Sequence, residues 1–200
     1  MVKSYRSSTG VDKFFYAPLA SDNSIEDIIE RVKFLQNINV EMPQEPVRAY
    51  GDNQVAEIAV AAGDISVTSA FHKLPEEDKI KLLGLETVEG ISAYGSSDTP
   101  PYVAVIFAKT YEDGSTEWVG LPKGLFLRPN VSGQTKQGGV EFQPDEISAA
   151  FMDRQVDGFT DDKSVLFGKD KKGSTTNRDA LFQIIFGKPV PTDEDIPEGA

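Results

Sequence analysis

The chain has 200 residues, 39% of them apolar, with twelve Phe, six Tyr and one Trp, which is enough for one domain with a sizeable core and too rich in core-formers for a disordered chain. No cysteine and a single histidine exclude a disulfide scaffold, thiol nucleophiles and any two-histidine metal site within one chain. Thirty-two acids against twenty bases give a formal charge of -12, so the chain as a whole repels nucleic acid, which binds by neutralising phosphates.

No run reaches the roughly 18 apolar residues that span a bilayer, and Met1-Val2-Lys3-Ser4-Tyr5-Arg6 lacks the apolar core of a signal peptide. The chain is expected to be made and kept in a cytosol, without a membrane partner.

The first ten residues, ending Ser7-Ser8-Thr9-Gly10, are small and polar and read as an arm outside the core. Val11 to Leu19, with Phe14, Phe15 and Tyr16, is the first expected strand, and Pro18 pushes its end to a sheet edge. Ser24 with Asp27, Ile25, Ile28, Ile29 and Val32 fits a capped helical turn, but the run passes into the strand-like stretch up to Val40. A short helix and a strand lead-in both remain open there.

Glu41 to Pro46 has prolines at 43 and 46 and is expected to be a loop. Gln54–Ala61 and Ile65–Phe71 both alternate around Gly63-Asp64, which predicts a hairpin joining the two. Leu74 to Gly84 has proline at its start, Glu76, Glu77 and Asp78 in the first turn and glycine at its stop, a helix pattern with Leu74, Ile80 and Leu83 facing the sheet.

Tyr102–Glu112 and Thr116–Lys123 flank Asp113-Gly114, the pair suited to a tight hairpin. Both faces of the first strand are apolar, which implies burial on both sides. Leu125–Leu127, Val140–Phe142 and Glu146–Phe151 are further strand candidates, and Asn177 to Gly187 is a second short helix. Pro189 to Ala200 has almost nothing to bury. The fold class is α+β, mainly β, a sandwich or barrel with peripheral helices.

Candidate chemistry is sparse. His72 sits at a strand end, and Gly168-Lys169-Asp170-Lys171-Lys172-Gly173 has the composition of a phosphate loop without its strand-to-helix context, so it reads as a turn. Asp161-Asp162 and Glu76-Glu77 are adjacent acids, which do not converge in a strand or a helix. No catalytic, metal or cofactor residue is assigned.

An ordered set of segments resembles the major tail proteins of siphophages infecting Gram-positive bacteria. It comprises Gly10-Val11-Asp12-Lys13 leading into Phe15-Tyr16-Ala17, Tyr50-Gly51-Asp52-Asn53 ahead of Glu57, Ile65-Ser66-Val67-Thr68 and Leu74-Pro75. Pro101 to Phe107, Thr135-Lys136, Phe142-Gln143-Pro144 and Asp153-Arg154-Gln155-Val156-Asp157-Gly158 continue it.

The resemblance implies a tail-tube β-sandwich over residues 11–187 with a flanking helix, an arm over 1–10 and a flexible tail over 188–200. It further implies a virion protein that forms hexameric rings, stacked into the conduit for DNA ejection. Its partners would be the tape measure, terminator and distal tail proteins, and DNA would pass through the lumen without specific binding. An acidic lumen wall would repel phosphates, although net charge does not say which face carries the acids. Under this reading Tyr5 and Arg6 in the arm, and Met42, Pro43, Glu45, Pro46, Arg48, Tyr50 and Asp52 in the loop, are self-assembly candidates; the alternative is plain flexible ends and a surface loop. The rival function is a carbohydrate- or partner-binding sandwich with a groove lined by Tyr94, Tyr102, Tyr111 or Trp118.

Overall fold

The computed structural model describes residues 6–25, 28–52, 54–131, 133 and 143–192. The elements are β1 (Ser8–Pro18), β2 (Glu30–Val32), β3 (Leu35–Glu41), β4 (Gln44–Gly51), β5 (Gln54–Ala62), β6 (Ile65–Phe71), α1 (Glu76–Leu83), β7 (Glu86–Val88), β8 (Ile91–Ala93), β9 (Val103–Tyr111), β10 (Thr116–Phe126), β11 (Asp145–Phe151), β12 (Leu166–Asp170) and α2 (Thr176–Phe186). The fold is mainly β with two helices, as the alternation predicted.

One sheet runs β2-β1-β9-β10-β11-β6-β3, with β12 also paired to β10. β10 is long enough to serve two neighbours on one edge: Thr116–Gly120 face β12 and Gly124–Phe126 face β11. A register shift between Leu121 and Gly124 separates the two halves, and the irregularity bends the strand so that the sheet curls.

The two-sided apolar pattern of β9 has its explanation in two cores. Val103, Val105 and Phe107 point to one side with Phe14, Tyr16, Leu121 and the α1 residues Leu82 and Leu83. Ala104, Ile106 and Ala108 point to the other, under Leu181, Phe182, Ile185 and Phe186 of α2. Small side chains let α2 lie close to the sheet: a Cβ added at Gly120 would stand 2.1 Å from Ile185 Cδ1. In β1 a register shift between Asp12 and Phe15, with Lys13 at φ 56°, delivers Phe14 and Tyr16 to the first core and Phe15 and Ala17 to the second.

Several expectations are corrected. Of the two readings left open ahead of Val40, the described residues give strand: β2 and β3 pair with β1 and β6, and Val32 is buried in the first core while Ile38 and Val40 pack against it. Ser8, Thr9 and Gly10, read as arm, belong to β1, with Ser8 and Gly10 opposite Tyr111 and Thr110. Gly168-Lys169-Asp170 is strand, with the turn only at Lys171–Ser174. Val140–Phe142 lies outside the described residues.

Both helices form where expected, ending at glycines in the left-handed region, Gly84 and Gly187. Leu82 rather than Ile80 enters the core beside Leu83. Asp170, buried at the end of β12, caps α2: its two carboxylate oxygens accept the Asn177 and Arg178 amides, each at 2.9 Å. Buried Arg154 holds the other end, donating to the Ile185 carbonyl at 2.7 Å and to the Pro122 carbonyl at 2.8 Å.

Candidate assembly interface

The expected loop from Glu41 and the expected pairing of Gln54–Ala61 with Ile65–Phe71 are both overturned. β5 pairs with β4, from Gln44 opposite Ala62 to Gly51 opposite Gln54, while β6 pairs with β3 and β11. β3 and β6 are therefore the base, and β4 and β5 the extension, of one long interrupted hairpin. Its interruption is at Met42-Pro43 and Gly63-Asp64, where the Gly63 amide donates to the Pro43 carbonyl at 2.9 Å. Pro46 is tolerated because the β4–β5 ribbon has only two strands, so β4 keeps an outer edge that needs no amide donor.

The cross-strand register sets the faces of this extension. Pro46 lies opposite Val60 and Arg48 opposite Ile58, which puts these four on one face; Val47, Ala49, Glu57 and Ala59 share the other. Each face carries apolar side chains, and every residue of β5 is exposed. Tyr50 is 70% exposed, Val60 62% and Ile58 59%. Covering a Val, Ile or Tyr side chain releases about 1.5–3 kcal/mol, and an isolated two-stranded ribbon is marginal in water.

Met42, Pro43, Glu45, Pro46, Arg48, Tyr50 and Asp52 all fall on this element, the first two at its break and Asp52 at its tip. Arg6 is elsewhere: it precedes β1, beside the β9–β10 turn, where its charge helps hold the Asp113 carboxyl below the usual range, behind the larger effect of the Ser115 hydrogen bonds. Tyr5 lies outside the described residues.

A second exposed apolar surface was not legible in sequence. The loop around Phe159 and Val165, with β12 and α2, encloses a groove of about 300 Å³, and Phe159 and Phe167 are 41% and 58% exposed at its rim.

The alternative sugar-binding aromatics do not converge. Trp118 is buried against Phe182 in the second core, and Tyr102 and Tyr111 stand at opposite ends of β9, about 30 Å apart at strand rise. Tyr102 is covered by the Lys123 ammonium at 4.6 Å and Tyr94 by the Arg128 guanidinium at 5.5 Å.

Nor do the polar residues build a catalytic constellation. His72 is exposed at the end of β6, edge-to-face with Phe34. Glu76 and Glu77 form the first turn of α1, and Asp161 and Asp162 lie exposed in a loop. Among the described residues there is no group of three His, Asp or Glu placed to hold a metal, and no helix long and apolar enough to cross a membrane.

A part-buried polar cluster fastens α1. Tyr16 donates to Asp78 Oδ1 at 2.6 Å, and the Lys81 ammonium binds the Glu30 carboxylate. Burial first, then the Asp78 hydrogen bond and nearby acids, push the Tyr16 hydroxyl far above its ordinary range. Burial likewise raises the Asp78 carboxyl, against the opposing Tyr16 hydrogen bond.

The fold is thus a mainly β domain whose buried polar groups fasten its two helices and whose β4–β5 ribbon leaves apolar side chains exposed. The family model of the phage tail tube protein matches residues 35–187, and the chain belongs to that family. No curated protein matches the chain. The family gives it a structural role in the virion tail and implies oligomerisation and assembly with other tail components.

Proposed function

We propose that this chain is the major tail protein of a long, non-contractile siphophage tail on a Gram-positive host, forming hexameric rings that stack into the conduit for DNA ejection. The β4–β5 hairpin carries the reading: it projects from the β3–β6 base with apolar residues on both faces, and a neighbouring ring supplies the missing cover. Residues 11–187 are the tube domain in this account, extended at its start by the β1 residues Ser8–Gly10, with the segments 1–7 and 188–200 as candidates for contact between copies.

The tape measure, terminator and distal tail proteins would meet the tube inside and at its ends. The formal charge of -12 suits a wall along which DNA slides without specific binding. Synthesis in the host cytoplasm precedes incorporation into the virion.

Negative-stain microscopy with light scattering, on purified protein at rising concentration, tests the proposal. Six-fold rings or hollow tubes are the expected result. A compact monomer at every concentration would contradict self-assembly.

A further inference from the structure

We propose that Asp157-Gly158 is a site of spontaneous isoaspartate formation in the folded protein, and that the fold protects the chain's other Asp-Gly pair, Asp113-Gly114. Aspartate followed by glycine is the pair most open to this chemistry, because glycine has no Cβ to shield its amide nitrogen. That nitrogen bonds to the aspartate Cγ; its proton and the carboxyl hydroxyl leave as water, and a five-membered succinimide closes. Water then opens the ring at the former backbone carbonyl, so the chain runs on through Cγ. Composition is unchanged, and water is the one co-reactant. The ring closes only where the carboxyl can turn towards the amide and the amide is free to be attacked.

Both pairs are exposed, so hydrogen bonding decides between them. Asp113 Oδ1 accepts the Ser115 amide at 2.9 Å and the Ser115 hydroxyl at 2.5 Å, and the Gly114 amide donates to the Tyr111 carbonyl at 2.9 Å. The Lys172 side chain covers this turn, its Cδ 3.0 Å from where a Cβ on Gly114 would stand. The Ser115 hydrogen bonds also hold the Asp113 carboxyl below the usual range, which keeps scarce the neutral acid that closes the ring. Asp157 is not restrained in this way. Among the described residues its carboxylate accepts no hydrogen bond and the Gly158 amide has no acceptor, while open space surrounds Gly158, at φ 85°. The nearby Arg154 guanidinium is spent on the Pro122 and Ile185 carbonyls. The consequence stays local, because Arg154 and Lys163 exchange backbone hydrogen bonds at 3.1 and 2.9 Å and clamp the loop at its base. The extra backbone carbon therefore shifts Phe159, whose carbonyl accepts Gln155 Nε2 at 2.9 Å and whose ring rims the groove.

The test holds the purified protein near neutral pH at physiological temperature for several weeks, folded and, in parallel, unfolded in urea. Isoaspartate is then located by electron-transfer fragmentation of the peptides and counted by enzymatic methylation of the isoaspartyl carboxyl. In the folded chain the Asp157 product is expected to exceed the Asp113 product at least about tenfold, the rate cost of breaking one of Asp113's charge-assisted hydrogen bonds. In urea the preference should vanish, since both sites are then plain Asp-Gly. Asp157→Glu, whose side chain would need a six-membered ring, should remove most of the methylation from the folded protein. The aged wild-type chain should keep its melting transition. Equal products at the two sites in the folded chain, a preference that survives in urea, or full methylation of Asp157→Glu would each overturn the proposal, and none of them bears on the tube reading.

Discussion

Replacing Asp170 by alanine removes a side chain that holds β12 and α2 together. Its two oxygens accept the Asn177 and Arg178 amides at 2.9 Å each, and the residue is 2% exposed. Loss of a cap alone costs about 0.5–2 kcal/mol, and hydrogen bonds to a charged acceptor contribute about 1.5–3 kcal/mol each when intact. Water can reach the exposed Asn177 and half-exposed Arg178 and recover part of this, so Asp170→Ala should lose about 2–4 kcal/mol. For a chain of this length that lowers the melting temperature by roughly 5–15 °C. Urea titration followed by the fluorescence of the single Trp118, which packs on Phe182 beneath α2, reads the change where it occurs. Asp170→Asn, which retains one acceptor oxygen, should lose about half as much. A loss below about 0.5 kcal/mol for alanine would refute the capping role, because that is the range of an ordinary surface change.

Other perturbations have equally definite outcomes. Phe182→Ala removes a fully buried ring with edge contacts to Phe15, Trp118 and Phe186; about 3–5 kcal/mol should be lost in the same titration. Tyr16→Phe leaves the half-buried Asp78 without its 2.6 Å donor and should cost about 1–3 kcal/mol, with the change in amide exchange concentrated in α1. Asp145 accepts the Leu74 amide at 2.9 Å and pairs with Lys73 at 3.2 Å. Burial opposes its ionisation, but these partners and Lys79 bring its carboxyl below the ordinary 3.8. The unfolded chain therefore binds more protons there, so the stabilisation is present above that value and fades as pH falls through the lowered folded pKa. Asp145→Asn should accordingly show a shallower loss of melting temperature between pH 5 and 2; an unchanged slope would contradict the assignment.

The sheet's centre was legible because local and global signals agree there. Asp113-Gly114 fixes the β9–β10 turn, the two apolar faces of β9 announce two cores, and Pro75 with Gly84 brackets α1. The exposed β4–β5 ribbon was not legible for a physical reason. Val55 to Val60 alternates like any half-buried strand, and Gly63-Asp64 is a plausible turn, so a hairpin with β6 satisfies every local rule. The decision is long-range: Ile65, Val67 and Phe71 are claimed by β3, β11 and the first core, which leaves β5 to pair with the proline-bearing β4 in solvent. β12 escaped notice because Gly168 interrupts a five-residue strand, and Asp170 reads as a turn acid until α2 is placed above it. Of the residues singled out for assembly, seven share the hairpin, and sequence identified them as a segment without supplying its shape.

Excision of the hairpin tests the central claim most directly. Because the Gly63 amide already bonds the Pro43 carbonyl, an Asn-Gly turn in place of residues 44–62 can close β3 onto β6 without disturbing either core. Sedimentation velocity and electron microscopy of this variant beside the wild-type chain should find the wild type in tubes and the variant folded, with an unchanged Trp118 emission and melting transition, but confined to single rings or monomers. Tubes of normal length from the excised chain would show that the exposed apolar ribbon is not what joins the rings.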